Sequence, residues 1–170
     1  EKVCAFVMLL PSAFSQSVSA FVAQNTGAAK PDRAKKALRY SVVTSLCISV
    51  FMFYFNFFHG DLLAGIFAND RAVILEAADY LKAYAIDCLL ISFLFCFVGY
   101  FSGLGKTVFV MAQGILGAFG VRIPVSFAMS RLLNVRLFFI GLATPCSTVV
   151  QVLLCLLYYA HLARREKAVR

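Results

Sequence analysis

Two ionisable side chains stand inside long apolar runs. Asp87 lies in AYAIDCLLISFLFCF and Arg122 in GILGAFGVRIPVS. A charge in a bilayer core is rare and costs about 2.5–3.5 kcal/mol on insertion scales, so each residue is a candidate for function. The functional reading is a carboxylate linked to a proton or a small cation in a pathway. The plainer reading is a structural pair that keeps two opposite charges buried together. At 1.5 Å per residue, each sits roughly 13 Å below the same end of its helix, on consecutive helices that run opposite ways. Asp87 and Arg122 are therefore expected to approach each other at one depth.

Other polar and special residues in these runs are weaker candidates. Gln113 precedes Arg122, and Gly114, Gly117 and Gly120 form a slowly drifting stripe that suits close helix packing. Pro124 removes one backbone hydrogen bond and bends its helix, and Pro11 and Pro145 are expected to do the same in the first and last apolar runs. Gln16, Asn56 and Gln151 are single amides that either line a polar cavity or bond across helices. Ser12, Ser15 and Ser19 share one helix face, with Gln16 beside it, and make the best cavity-lining candidate.

Enzyme chemistry has no foothold. GxSxG and HExxH are absent, and GLGKT at 103–107 fails as a phosphate loop because Tyr100 stands where that loop needs glycine. His59 and His161 share no neighbour that would make a metal site. The six cysteines, Cys4, Cys47, Cys88, Cys96, Cys146 and Cys155, fall in apolar runs without CxxC spacing, and read as small buried hydrophobes.

Composition says what must position these residues. The 170 residues are 62% hydrophobic and 14% charged, with a mean hydropathy of +0.85. A soluble domain is about 45–50% apolar and about 25% charged, so this chain belongs in lipid. A spanning helix needs about 20 apolar residues. Five runs qualify, at about 3–24, 37–58, 78–101, 107–130 and 137–162. They are twice the length of a barrel strand and do not alternate, so the fold class is all-α integral membrane. Leu62, Ile66 and Phe67 suit a short interfacial helix. Asn69-Asp70 suits an N-cap, which would let the third spanning helix begin as early as Arg71.

The net charge of +8 is unevenly placed. Ten basic residues fall on one side of a five-span topology: Lys30, Arg33, Lys35, Lys36, Arg39, Lys106, Arg164, Arg165, Lys167 and Arg170. Five fall on the other: Lys2, Arg71, Lys82, Arg131 and Arg136. The richer side is expected to be cytoplasmic, with residues 25–39 as a cytoplasmic loop and the C-terminus inside. The basic residues cluster at span ends without interleaved aromatics, which argues against a nucleic-acid partner. The chain opens on Glu1 with no signal peptide, and an N-terminus outside suits a preceding helix. The expectation is a piece of a longer protein.

The stretch FVAQNTGAAKPDRAKKALR resembles the signature of multidrug and toxin extrusion (MATE) transporters, through Val22, Gln24, Asn25, Gly27, Ala28, Lys30, Arg33 and Ala34. LPSAFSQSVSA is similar to the helix before that signature. IFANDRAVILEAADYLKAY resembles a further family segment through Phe67, Asp70, Tyr80 and Leu81, and GYFSGLGKT resembles the turn before the family's eleventh helix. The resemblance implies a twelve-helix, two-lobe fold, of which residues 1–170 would be a partial C-terminal lobe, the eighth to twelfth helices. It implies sodium- or proton-coupled export of organic cations and drugs by alternating access in the plasma membrane. No cofactor is implied beyond that ion, and the partners are the drug, the bilayer and the N-terminal lobe. Some members carry a cation-binding aspartate on the tenth helix. Counted back from the Gly103 turn, that position falls at Ile91, one turn beyond Asp87. Two alternatives stand beside antiport: a lipid-linked oligosaccharide flippase, which would want more basic cavity residues than Arg122, and a non-transporting membrane subunit.

Overall fold

A computed structural model describes residues 2–67, 71–131 and 142–169, and their regular structure is helical throughout. The helices are α1 (Lys2–Gly27), α2 (Pro31–Phe58), α3 (Gly60–Phe67), α4 (Arg71–Gly103), α5 (Thr107–Ile115), a π-helical segment (Leu116–Arg122), α6 (Ile123–Ser130) and α7 (Ala143–Val169). Among the described residues, four stretches are long and apolar enough to cross a bilayer: Pro31–Phe58, Tyr84–Gly103, Thr107–Ser130 and Ala143–Arg165. α1 has 26 residues, which is about 39 Å of helix. A short helix forms, as α3, where Leu62, Ile66 and Phe67 suggest one. The expected cap at Asn69-Asp70 and the start of the run at 137–162 lie outside the described residues.

Most of the polar stretch at 25–39 is helix, not loop. α1 runs to Gly27 and α2 begins at Pro31, so only Ala28–Lys30 connects them. Proline at the first helical position and Asp32 in the first turn suit a helix start. The following Arg, Ala, Lys and Leu residues are strong helix formers. The reversal falls on Ala29, whose φ is 54°, while the Asn25 side chain donates to the Phe21 carbonyl at 2.8 Å. The turn from α4 to α5 uses Gly105 at φ 73°, where an L side chain would be strained. The Lys106 amide donates to the Phe101 carbonyl at 2.8 Å across that turn.

α4 is the spine, packed against α1, α2 and α7. Lipid tails are as apolar as leucine, so helices in a membrane associate through close packing and polar bonds rather than through the hydrophobic effect. α4 supplies both. On the side toward α1, Gly99 lies on the backbone of Ser15, and Gly103 lies on Ser19 and Val22. On the side toward α2, Cys88, Ser92 and Cys96 recur every four residues. They face Ser45, which lies 3.2 Å from Cys96 Sγ and donates to the Ser92 carbonyl at 3.4 Å, and Asn56, whose amide lies 3.9 Å from Cys88 Sγ. Aromatic packing closes one end, where Phe109 stacks on Tyr158 at 3.9 Å and Phe101 meets both rings at 5.2 Å.

The run at 107–130, expected to bend at Pro124, is interrupted just before it by the π-helical segment. Pro124 supplies the reason. It has no N–H for the carbonyl four residues back, and its ring crowds that carbonyl. The preceding backbone widens instead, and the Ile123 amide donates to the Ala118 carbonyl, five residues back. α7 braces the widened turn: Ser147 Oγ donates to the Gly117 carbonyl at 2.7 Å, and Gln151 lies across Gly117 where a side chain would otherwise sit. Pro145 stands in the first turn of α7, where a missing N–H breaks no helical bond. α1 continues as one helix through Pro11.

Candidate ion-coupling site

Asp87 is fully buried on α4, about 24 Å from the helix end at Gly103. Neither of its carboxylate oxygens accepts a hydrogen bond. Two groups bear on it electrostatically, the Thr148 hydroxyl of α7 and the Arg122 guanidinium. The Thr148 hydroxyl is donated to the Thr144 carbonyl of its own helix at 3.1 Å. Buried polar groups are otherwise nearly always paired, and an unpaired charge in low dielectric is more costly than an unpaired amide.

The expected ion pair does not form. Among the described residues no salt bridge joins Asp87 to Arg122, and Arg122 is exposed. The depth estimate was sound, since both lie near the same level of antiparallel helices. Arg122 acts on Asp87 without direct contact, and its side chain is exposed. Each residue of an α-helix turns the chain by about 100°, and a π turn holds about one residue more, so side chains beyond it are rotated by about that much. Arg122 closes the π segment and ends on the open side.

The other candidates separate. Asn56 is fully buried and its Nδ2 donates to the Met52 carbonyl at 2.9 Å, but its Oδ1 has no partner. Its contact with Cys88 places it beside Asp87 in the sequence of α4. Gln113 is also buried with an unpartnered Oε1. It lies about 9 Å into α5 from the end next to Gly103, against about 24 Å for Asp87, so it belongs to another level. Ser15 and Ser19 carry the crossing with α4, so that face of α1 is a packing face in this chain. Ser12 donates to its own Leu9 carbonyl at 2.8 Å, and Gln16 is exposed. Pro11 is buried and, with Ser45, Ser49 and Ser92, borders a cavity of about 20 Å³ between α1, α2 and α4. That volume holds about one water. Ile91, one turn beyond Asp87, borders the same cavity.

Sequence reasoning missed Thr148 and the ladder of Ser45, Ser49, Cys88, Ser92 and Cys96. The signal was available. Cys88, Ser92 and Cys96 keep a strict four-residue spacing, which puts small polar groups on one helix face.

Among the described residues, the long apolar helices describe a membrane protein better than a soluble fold. The profile of the MatE family matches residues 2–128. The chain belongs to the MatE family. Its fold is similar to a solved multidrug resistance MATE family transporter of the MOP superfamily, in an inward-facing conformation, with a TM-score of 0.81 at 20% identity. The similarity covers 89% of this chain and 34% of the transporter. No curated protein matches the chain. Of the MatE-family features expected from the sequence, the helical membrane fold is present.

Proposed function

We propose that this chain is part of an ion-coupled exporter of organic cations and drugs. In this reading α1, α2, α4, the α5–α6 run and α7 are five membrane spans, corresponding to the eighth to twelfth helices of a twelve-helix transporter. The basic end faces the cytoplasm of a cell with the protein in its plasma membrane. The observation that carries the reading is Asp87, buried at mid-span with both oxygens unpartnered.

A carboxylate in that setting is most stable when a proton or a small cation neutralises it. Loss of the neutralising ion leaves a charge that Thr148 can meet by turning from Thr144, and that Arg122 favours at longer range. Either response pulls α7 or the segment before α6 toward α4. A ligand shifts a conformational balance only through different affinities for the two states, and this site offers such a difference. The helices move as units because Gly99, Gly103 and the Ser45–Cys96 ladder hold α1, α2 and α4 together. Support for the flippase alternative is absent from both matches, which name MatE relatives.

The test is ethidium efflux by the full-length transporter in a drug-sensitive strain, wild type against Asp87→Asn, with sodium and pH varied separately. Asp87→Asn is expected to abolish efflux or remove its ion dependence. Unchanged efflux with unchanged ion dependence would place coupling elsewhere.

A further inference from the structure

Gln113 and Asp87 are both buried with unpaired oxygens, at levels about 15 Å apart along the bundle. The neighbours of Gln113 one turn away on either side place it. Phe109, Gln113 and Gly117 follow a four-residue spacing and share one face of the α5 run. Phe109 stacks on Tyr158 of α7, and Gly117 lies under Ser147 and Gln151 of α7. Gln113 therefore lies in the seam between α5 and α7, 4% exposed.

α7 lines the rest of that seam with polar groups. Thr144, Ser147, Thr148 and Gln151 follow an i, i+3, i+4, i+7 spacing, and the first three are buried. Gln151 Nε2 donates to Ser147 Oγ at 3.2 Å, Ser147 Oγ donates to the Gly117 carbonyl at 2.7 Å, and Thr148 bears on Asp87. Toward the basic end the same face of α7 carries Cys155 and Tyr158 instead, and the Phe109–Tyr158 stack at 3.9 Å closes the seam.

We propose that this seam is a hydrated route for protons between the basic end and Asp87, with the Phe109–Tyr158 stack as its seal. Unpaired Gln113 sets the seam apart from plain helix packing, because a buried amide oxygen costs stability unless a donor such as water meets it. About five waters at hydrogen-bond spacing bridge the distance from Gln113 to Asp87. Hydroxyls and waters both donate and accept, so each passes one proton on as it takes another. A hydronium at the basic end becomes water as the Asp87 carboxylate becomes a carboxylic acid. The proton's use there rests on the coupling role of Asp87, whereas the hydration of the seam does not.

Thiol labelling of the full-length protein in sealed vesicles tests the route. Ser147→Cys is read by mass spectrometry of its own peptide, and Lys106→Cys, at an exposed position, marks the vesicle side that the basic end faces. With a small membrane-impermeant methanethiosulfonate on that side, Phe109→Ala is expected to speed labelling of Ser147→Cys about tenfold, the value of one lost ring pair. Phe51→Ala, on the exposed face of α2, is expected to leave the rate unchanged. Adding Gln113→Leu to Phe109→Ala is expected to slow labelling again by about fivefold, because the amide that holds water is gone. Acceleration from both sides alike, acceleration by Phe51→Ala as well, or none by Phe109→Ala overturns the route. Gln113→Leu alone is expected to slow efflux driven by a pH gradient by about fivefold at an unchanged melting temperature, and full-rate efflux overturns the proton-carrying role. The labelling does not use efflux, so intact efflux in Asp87→Asn would overturn the coupling reading and leave the hydrated route standing.

Discussion

Gly99→Ala is the most exacting test of the α1–α4 crossing. A Cβ built at Gly99 meets the Ser15 carbonyl oxygen in overlap and lies 3.0 Å from Ser15 Cα. These are backbone atoms and cannot turn aside, so α1 must retreat by roughly 1 Å to reach ordinary contact distance. Overpacking of this kind costs about 1–3 kcal/mol, against a gain of up to about 1 kcal/mol for alanine over glycine in a helix. Gly114→Ala meets nothing within 4 Å and keeps that gain. The two variants should differ by about 2 kcal/mol, or about 4–8 °C in melting temperature for a domain of this size. Gly117→Ala should fall between them, because its obstacle is the flexible Gln151 side chain. Gly99→Ala/Gly103→Ala should cost less than the sum, since one retreat of α1 relieves both. The assay is a thermal melt of the full-length protein in detergent, in a Cys47→Ser/Cys146→Ser background that removes the exposed thiols, with a thiol-reactive dye that reports opening at buried Cys96 and Cys155. If Gly99→Ala melts at or above Gly114→Ala, the crossing is not as described.

Three further outcomes are expected. Asn56→Leu removes a buried carbonyl that has no partner, so the melting temperature should hold or rise; a fall of more than about 5 °C would show that Oδ1 is satisfied. Pro124→Ala restores an N–H, so the π segment should contract and turn Arg122 by about 100°; a spin label at exposed Ile123 should then change its collision rate with lipid-soluble oxygen, and an unchanged rate refutes the role given to Pro124. Arg122→Cys in the full-length protein should react with a membrane-impermeant thiol reagent, while Phe51→Cys, an exposed apolar position on α2, should stay silent; equal silence would put Arg122 in lipid.

The spans were legible because a helix in lipid must be long and continuously apolar, and that constraint leaves a mark in every run. Asp87 was legible for the same reason: a carboxylate in such a run has no neutral explanation. What failed were readings that needed a neighbour. Ser12, Ser15 and Ser19 share a face by helical spacing, but spacing does not say whether the face meets water or Gly99 and Gly103. The glycine stripe before Arg122 promised three close approaches, and among them only Gly117 has one. The basic stretch read as loop because it is polar, although Pro31, Asp32 and the residues after them favour a helix start. Polarity marks where a helix leaves the membrane, not where it ends.

Arg122 shows how one local event redirects the site. A direct contact with Asp87 would close the two charges into a pair with little reason to respond to an ion. The π segment at Leu116–Arg122 turns it to the open side. An arginine there faces hydrocarbon only at a cost of several kcal/mol, whereas facing protein or water removes most of that cost. In the proposed reading, the open side of the π segment is the side that meets the rest of the transporter or its aqueous cavity. Asp87 is left without a fixed counter-ion. Its neutralisation then depends on what enters, which is the property a coupling carboxylate needs and a structural ion pair lacks.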